Sequence, residues 1–198
     1  MIGSSGGRSW GRCKIAAASA ALLALGACAS GPAPTIYDLA AAQPSAARGM
    51  RVQIRIGQPT ATADLDSDRI LVRETPITLA TLSGAVWPEP LPALFRTRLA
   101  QSFQNAGLAH AIDGPAATAD YEIDLDIRAF EFDAQTQEAH VDIAAWIVSL
   151  SNGRIRADEI FTLRAPVGST DAAAVAAGLD QAASAVMSKI VSFVARTI

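Results

Sequence analysis

The stretch that decides the fold is Tyr121–Leu163, YEIDLDIRAFEFDAQTQEAHVDIAAWIVSLSNGRIRADEIFTL. Tyr121, Ile123, Leu125 and Ile127 alternate with Glu122, Asp124, Asp126 and Arg128, the period of a strand with one buried face. After Arg128 the phase slips and Phe130 and Phe132 take the apolar positions, so a bulge or bend is expected near Ala129. Val141–Leu150 is apolar on both faces and reads as a central strand. Ser151-Asn152-Gly153-Arg154 is a strong hairpin signal, because Asn-Gly accepts the positive φ of a tight turn. Ile155–Leu163 then completes an antiparallel meander.

Working outward, Val52, Ile54 and Ile56 alternate with Arg51, Gln53 and Arg55, which predicts a half-buried strand. Short strands follow at Ile70–Val72 and Ile77–Leu82. Trp87-Pro88-Glu89-Pro90-Leu91-Pro92 stops any strand and starts a helix, since proline is tolerated in a first turn. Leu91, Leu94, Phe95, Leu99, Phe103 and Ala106 form its apolar stripe, and Gly107 ends it. From Asp171 a last helix aligns Val175, Leu179, Ala183, Val186, Ile190 and Val194 and closes the sheet. The expectation is a single-domain α/β three-layer sandwich over residues 50–198, with a mixed sheet, an antiparallel meander and a C-terminal helix.

Charge divides the chain. Arg8, Arg12 and Lys14 give residues 1–27 a charge of +3 with no acid, so the remainder, against −3 for the whole, carries −6. So acidic a domain lacks the basic stripe that would displace counterions from phosphates, which excludes nucleic acid as a partner. Aromatic residues are 6% of the chain, so aliphatic packing must fill the core.

Residues 1–27 have the three parts of a signal peptide: the basic section ending at Lys14, the apolar run Ile15–Ala24 and small residues before a cut. Leu25-Gly26-Ala27-Cys28 has the form of a lipobox, which makes Cys28 the lipid-attachment residue, carrying a diacylglyceryl group and a further chain such as palmitate. Each buried methylene adds about 0.8 kcal/mol, so several long chains hold a domain firmly on a membrane. Ala29 stands where an acidic residue would favour inner-membrane retention, so the expected location is the periplasmic face of the outer membrane. Residues 28–49 read as the lipidated N-terminus and a flexible tether, rich in Ala and Pro. Within them Ile36-Tyr37-Asp38-Leu39 fits either a first short strand or more tether. With Cys13 in the leader, the mature chain would hold no free thiol.

Chemistry-bearing patterns are sparse. Asp64, Asp66 and Asp68 imitate the start of a calcium loop, but Arg69 stands where glycine is needed and Thr75 where the closing Glu belongs. A solvated acidic loop is the simpler reading, and no metal or cofactor is expected. The histidines are His110 and His140. His140 alternates with Glu138 and Asp142 on one strand face, which fits a general base among carboxylates or, more simply, a surface histidine among acids. Nucleophile-elbow, phosphate-loop, dinucleotide and zinc-protease motifs are absent, so no enzyme is expected. Trp87, between a strand and the proline-guarded helix, fits packing under the helix start or anchoring a partner.

Leu65-Asp66-Ser67-Asp68-Arg69-Ile70-Leu71-Val72-Arg73, then Leu82-Ser83-Gly84-Ala85-Val86-Trp87 and Leu91-Pro92-Ala93-Leu94-Phe95, resemble the auxiliary lipoprotein component of ABC-type transport systems, the group that includes paraquat-inducible protein C. The resemblance continues through Ala119-Asp120-Tyr121, Asp126–Glu131 and Ser169–Ala173. It implies a periplasmic accessory to an MCE (mammalian cell entry) type transporter, which moves phospholipid or other hydrophobic molecules between the membranes. The implied partners are an MCE-domain protein and, through it, the inner-membrane permease and ATPase, with a homo-oligomer as one form of assembly. The resemblance carries no catalytic residues; Cys28 transfers as the acylated cysteine and Trp87 as a motif residue without assigned chemistry. The competing class is an envelope lipoprotein that contacts peptidoglycan-synthesis or secretion machinery, since similar small α/β domains serve there. A periplasmic hydrolase using His140 or His110 is the third.

Overall fold

The computed structural model describes Gly3 and residues 32–45, 52–108 and 119–198, and Pro34–Ile198 form one compact unit. Its frame is the expected meander: β6 (Tyr121–Asp133), β7 (Glu138–Ser149) and β8 (Arg154–Pro166), antiparallel throughout. The phase slip is a register shift between Ile127 and Ala129, which lets Phe130 and Phe132 stay on the same buried face as Ile123, Leu125 and Ile127. Gly153 takes φ 68° in the turn between β7 and β8, as Asn-Gly predicts.

Parallel pairing fills the other side of β6. The short strands β2 (Ile54–Ile56) and β3 (Thr60–Ala61) and the longer β4 (Arg69–Thr75) align in turn along it. β4 forms a hairpin with β5 (Thr78–Val86), and β1 (Thr35–Ile36) pairs parallel with the end of β5. The result is an open eight-stranded mixed sheet with a C-terminal helix, the α/β class expected. β3, two residues long, has no periodicity that sequence can reveal.

Helix α1 (Leu91–Asn105) begins after Pro90, and the chain leaves it through Gly107 at φ 82°. Helix α2 (Ala172–Thr197) is capped by Asp171, whose carboxylate accepts from the Ala174 N–H at 2.9 Å. The apolar stripes of both helices are buried against one face of the sheet, in a single core with Ile123, Phe130, Val141 and Ile143. Among the described residues no third layer covers the opposite face of the meander, where Glu138, His140, Asp142 and Trp146 are only half-buried.

The expected tether, 28–49, contains residues that pack into the domain. Leu39 and Ala42 are buried, the Ser102 hydroxyl accepts from the Ala42 N–H at 2.8 Å, and the Asn105 amide donates to its carbonyl. Asp180 of α2 accepts from the Ala40 N–H, and Arg98 pairs with Asp38, holding that carboxyl below its usual range. Composition misreads this segment because Ala40-Ala41-Ala42 resembles a spacer, while small side chains are also what close packing beside a helix admits. Of the short strand expected at 36–39, only Ile36 lies in β1.

Candidate functional site

The open face of the meander collects the polar chemistry of the domain. Glu131 follows the bulge on β6 and lies between Phe130 and Phe132, so its side chain points away from the helices. It is 3% exposed, and the Arg73 guanidinium neutralises it with two hydrogen bonds: Nε to Oε1, and Nη2 to Oε2 at 2.9 Å. A buried carboxylate is tolerable when a planar guanidinium meets both its oxygens. Arg73 also donates to the Pro76 carbonyl, which fixes the turn between β4 and β5.

His140 sits beside this pair, its Nδ1 3.9 Å from Glu131 Oε1, and faces Arg164 across β8. Burial and the Arg164 charge push its pKa below the usual 6.5, against the opposing pull of Glu131 and Asp142. Arg164 itself lies 3.6 Å from Asp133 and 3.5 Å from Glu138. One step along the strands, Asp142 accepts from the Thr162 hydroxyl at 2.8 Å and lies 3.4 Å from Arg128. The expected alignment of Glu138, His140 and Asp142 is present, but Thr162, the neighbouring hydroxyl, is committed to Asp142 and not to the imidazole. The geometry is that of a charge network tying β4, β6, β7 and β8 together.

Trp87 is inside the molecule. It is 2% exposed, meets the edge of Phe130 with ring centres 5.9 Å apart, and donates its backbone N–H to the Asp68 carbonyl. Of its two readings the structure shows packing, and the indole offers no surface to a partner. Asp64, Asp66 and Asp68 are exposed in the loop before β4, and among the described residues no group of His, Cys, Asp or Glu could hold a metal ion. Cys28 and His110 lie outside the described residues.

Glu131 was missed by reading the sequence, although one signal was available: an acid between two phenylalanines just past a phase slip. Trp146 was missed because Val141–Leu150 reads as apolar on both faces. In the structure Trp146 shares the open face with His140 and Asp142. No helix among the described residues is long and apolar enough to cross a membrane.

The profile of the family described as ABC-type transport auxiliary lipoprotein component matches residues 37–191. The chain belongs to this family. A solved structure of a Xanthomonas campestris protein is 32% identical, covers 82% of the chain and 95% of that protein, and superposes with a TM-score of 0.77. A second, uncharacterised protein of known structure, 13% identical with a TM-score of 0.64, covers 82% of the chain and 99% of its own and shares the fold. An uncharacterised protein of Bradyrhizobium diazoefficiens is 29% identical over 169 residues, 79% of the chain, and the chain spans 44% of that relative's length.

Proposed function

We propose that this auxiliary lipoprotein is a non-catalytic docking component of an MCE-type transporter that moves phospholipid or another hydrophobic molecule between the inner and outer membranes. The family match over residues 37–191 is the observation that carries the reading. The lipobox at Leu25–Cys28 supports an acyl anchor on Cys28, with Ala29 favouring the periplasmic face of the outer membrane. The committed charge network on the sheet supports a role in binding rather than catalysis, since its histidine is paired with ion-paired groups and no free nucleophile. The partner would be an MCE-domain protein that links this domain to the permease and ATPase in the inner membrane.

Affinity purification of the membrane-anchored full chain tests the proposal. An MCE-domain protein should be recovered with it, and a Cys28→Ser variant should leave the outer-membrane fraction. Repeated recovery without any MCE-domain protein would count against the transporter role; a Cys28→Ser variant that stays acylated would remove the anchor assignment.

A further inference from the structure

The open face has a second half that the charge network does not use. Register places Asp124, Trp146 and Asp158 in one row across β6, β7 and β8, and Asp126, Ala144 and Ile160 in the next. Cross-strand neighbours in such a row have Cβ atoms about 4.5–5.5 Å apart, so Asp158 stands beside the indole, while the Asp124 carboxylate leans the other way, over Gly57. In the second row the small Ala144 lies beside Ile160, a large apolar side chain that is 55% exposed. Asp126, Ala144, Trp146, Asp158 and Ile160 line a shallow groove of about 290 Å³, which Arg128 also borders.

Charge on this half is unbalanced. Glu122 is bound by Arg55 and Asp142 lies against Arg128, whereas Asp124, Asp126 and Asp158 have no ion-pair partner among the described residues. Among the described residues Asp126 accepts the Thr60 hydroxyl, and Asp124 lies near Glu122, whose repulsion Arg55 opposes. Burial and that neighbouring charge hold the Asp124 carboxyl above its usual range. Asp158 beside a half-buried indole, with Asp126 in the next row and neither in an ion pair among the described residues, suits a cation attracted to both the indole face and the acids.

We propose that this face docks an extended polypeptide segment in which a basic side chain is followed two positions later by an apolar one. The basic group would lie over Trp146 beside Asp158, and the apolar group over Ala144 and Ile160. The spacing follows from strand geometry: successive rows are two residues apart along β7, about 6.6–6.8 Å, which is also the distance between same-side residues of an extended chain. The groove is shallow and open to solvent, so it does not enclose acyl chains. The inference does not rest on the transporter reading, because it names the chemistry of a surface rather than the system it serves.

The test uses the full chain in detergent and a labelled peptide of three Arg-Ser-Leu-Ser repeats, with Glu replacing Arg in the control. Saturable binding of the arginine peptide is expected, weakening at least tenfold in an Asp126→Asn/Asp158→Asn variant and again as salt rises. Trp146→Leu should weaken it similarly and Trp146→Phe less, with indole fluorescence responding in the wild type only. The substituted side chains are exposed or half-buried, and circular dichroism verifies the fold. Equal binding of the glutamate peptide, or undiminished binding by the Asp126→Asn/Asp158→Asn variant, would overturn the proposal. So would displacement of the peptide by phosphatidylethanolamine vesicles, which would make the occupant a lipid surface.

Discussion

On strand β7, alternate residues live in different solvents. Ala139, Val141, Ile143, Ala145 and Ile147 are buried beneath the helices, while Glu138, His140, Asp142, Trp146 and Val148 look out from the other face. The covered face is held by apolar packing, which is nondirectional and tolerates no vacancy. The open face is held by paired charges and shared hydroxyls, whose worth depends on which partner is removed. The difference teaches where this domain keeps its stability and where it can keep function: a binding surface can change on the open side without emptying the core.

The largest expected effect contrasts the two faces directly. Phe130→Ala removes a ring that is 1% exposed and takes away the edge contact with Trp87, so it should cost about 3–5 kcal/mol in urea unfolding. Trp146→Ala removes a larger side chain that the open face leaves partly exposed, so it should cost less, about 1–2 kcal/mol. Equal losses would mean that something covers the open face as fully as the helices cover the other.

The next effect probes the one place where the open face behaves like an interior. Arg73→Met leaves Glu131 as a buried carboxylate without its guanidinium. Breaking such a pair costs about 3–5 kcal/mol when both groups are buried, and the partial exposure of Arg73 lowers the expectation to about 2–3 kcal/mol. Adding Glu131→Gln should recover most of the loss, because the uncompensated charge is gone. A double variant no more stable than Arg73→Met would show that Arg73 acts through its hold on Pro76.

A third change tests the closeness of packing on the covered side. A Cβ on Gly178 would come within 2.6 Å of Val167 Cγ2 and 3.4 Å of Ala139 Cβ, so α2 approaches the sheet there at a distance that only glycine permits. Gly178→Ala should lose about 1–3 kcal/mol to overpacking despite its better helix propensity. Thermal unfolding of Gly178→Ala/Val167→Ala should regain part of that loss. Without such recovery, the neighbour named by geometry is not the one that matters.

The meander was legible because long strands average their signal: thirteen residues of β6 show both the alternation and the slip at Ala129. The helices were legible for the same reason, each with a stripe repeated over several turns and a cap residue in place. β1 and β3, two residues each, carry no periodicity, and their parallel pairing with β5 and β6 is decided by packing far away in sequence. The surface chemistry was half legible. Alternation put His140 with Glu138 and Asp142, but only the register across three strands reveals that Glu131 sits under His140 and that Trp146 lies between Asp124 and Asp158. Trp87 illustrates the converse: its place between a strand and a proline-guarded helix fits packing or partner anchoring, and burial against Phe130 decides for packing.

The smallest expected effect is set by pH. His140 has a folded-state pKa below the ordinary imidazole value of 6.5, first through burial and then through Arg164 and Arg73, with Glu131 and Asp142 opposing. The unfolded chain therefore takes up that proton more readily than the folded one. The contribution is intact above the unfolded value near 6.5 and is lost as pH falls through it toward the depressed folded value. A His140→Gln variant should show a flatter stability profile between about pH 7.5 and 5, by less than about 1 kcal/mol because remaining solvent access screens the charges. The carboxyls held low, Asp38, Asp133 and Asp171, weaken the fold only at more acid pH, so the two windows separate in chemical denaturation series. Identical profiles for wild type and variant would place His140 in ordinary solvent, and the open face would then be wet even beside Glu131.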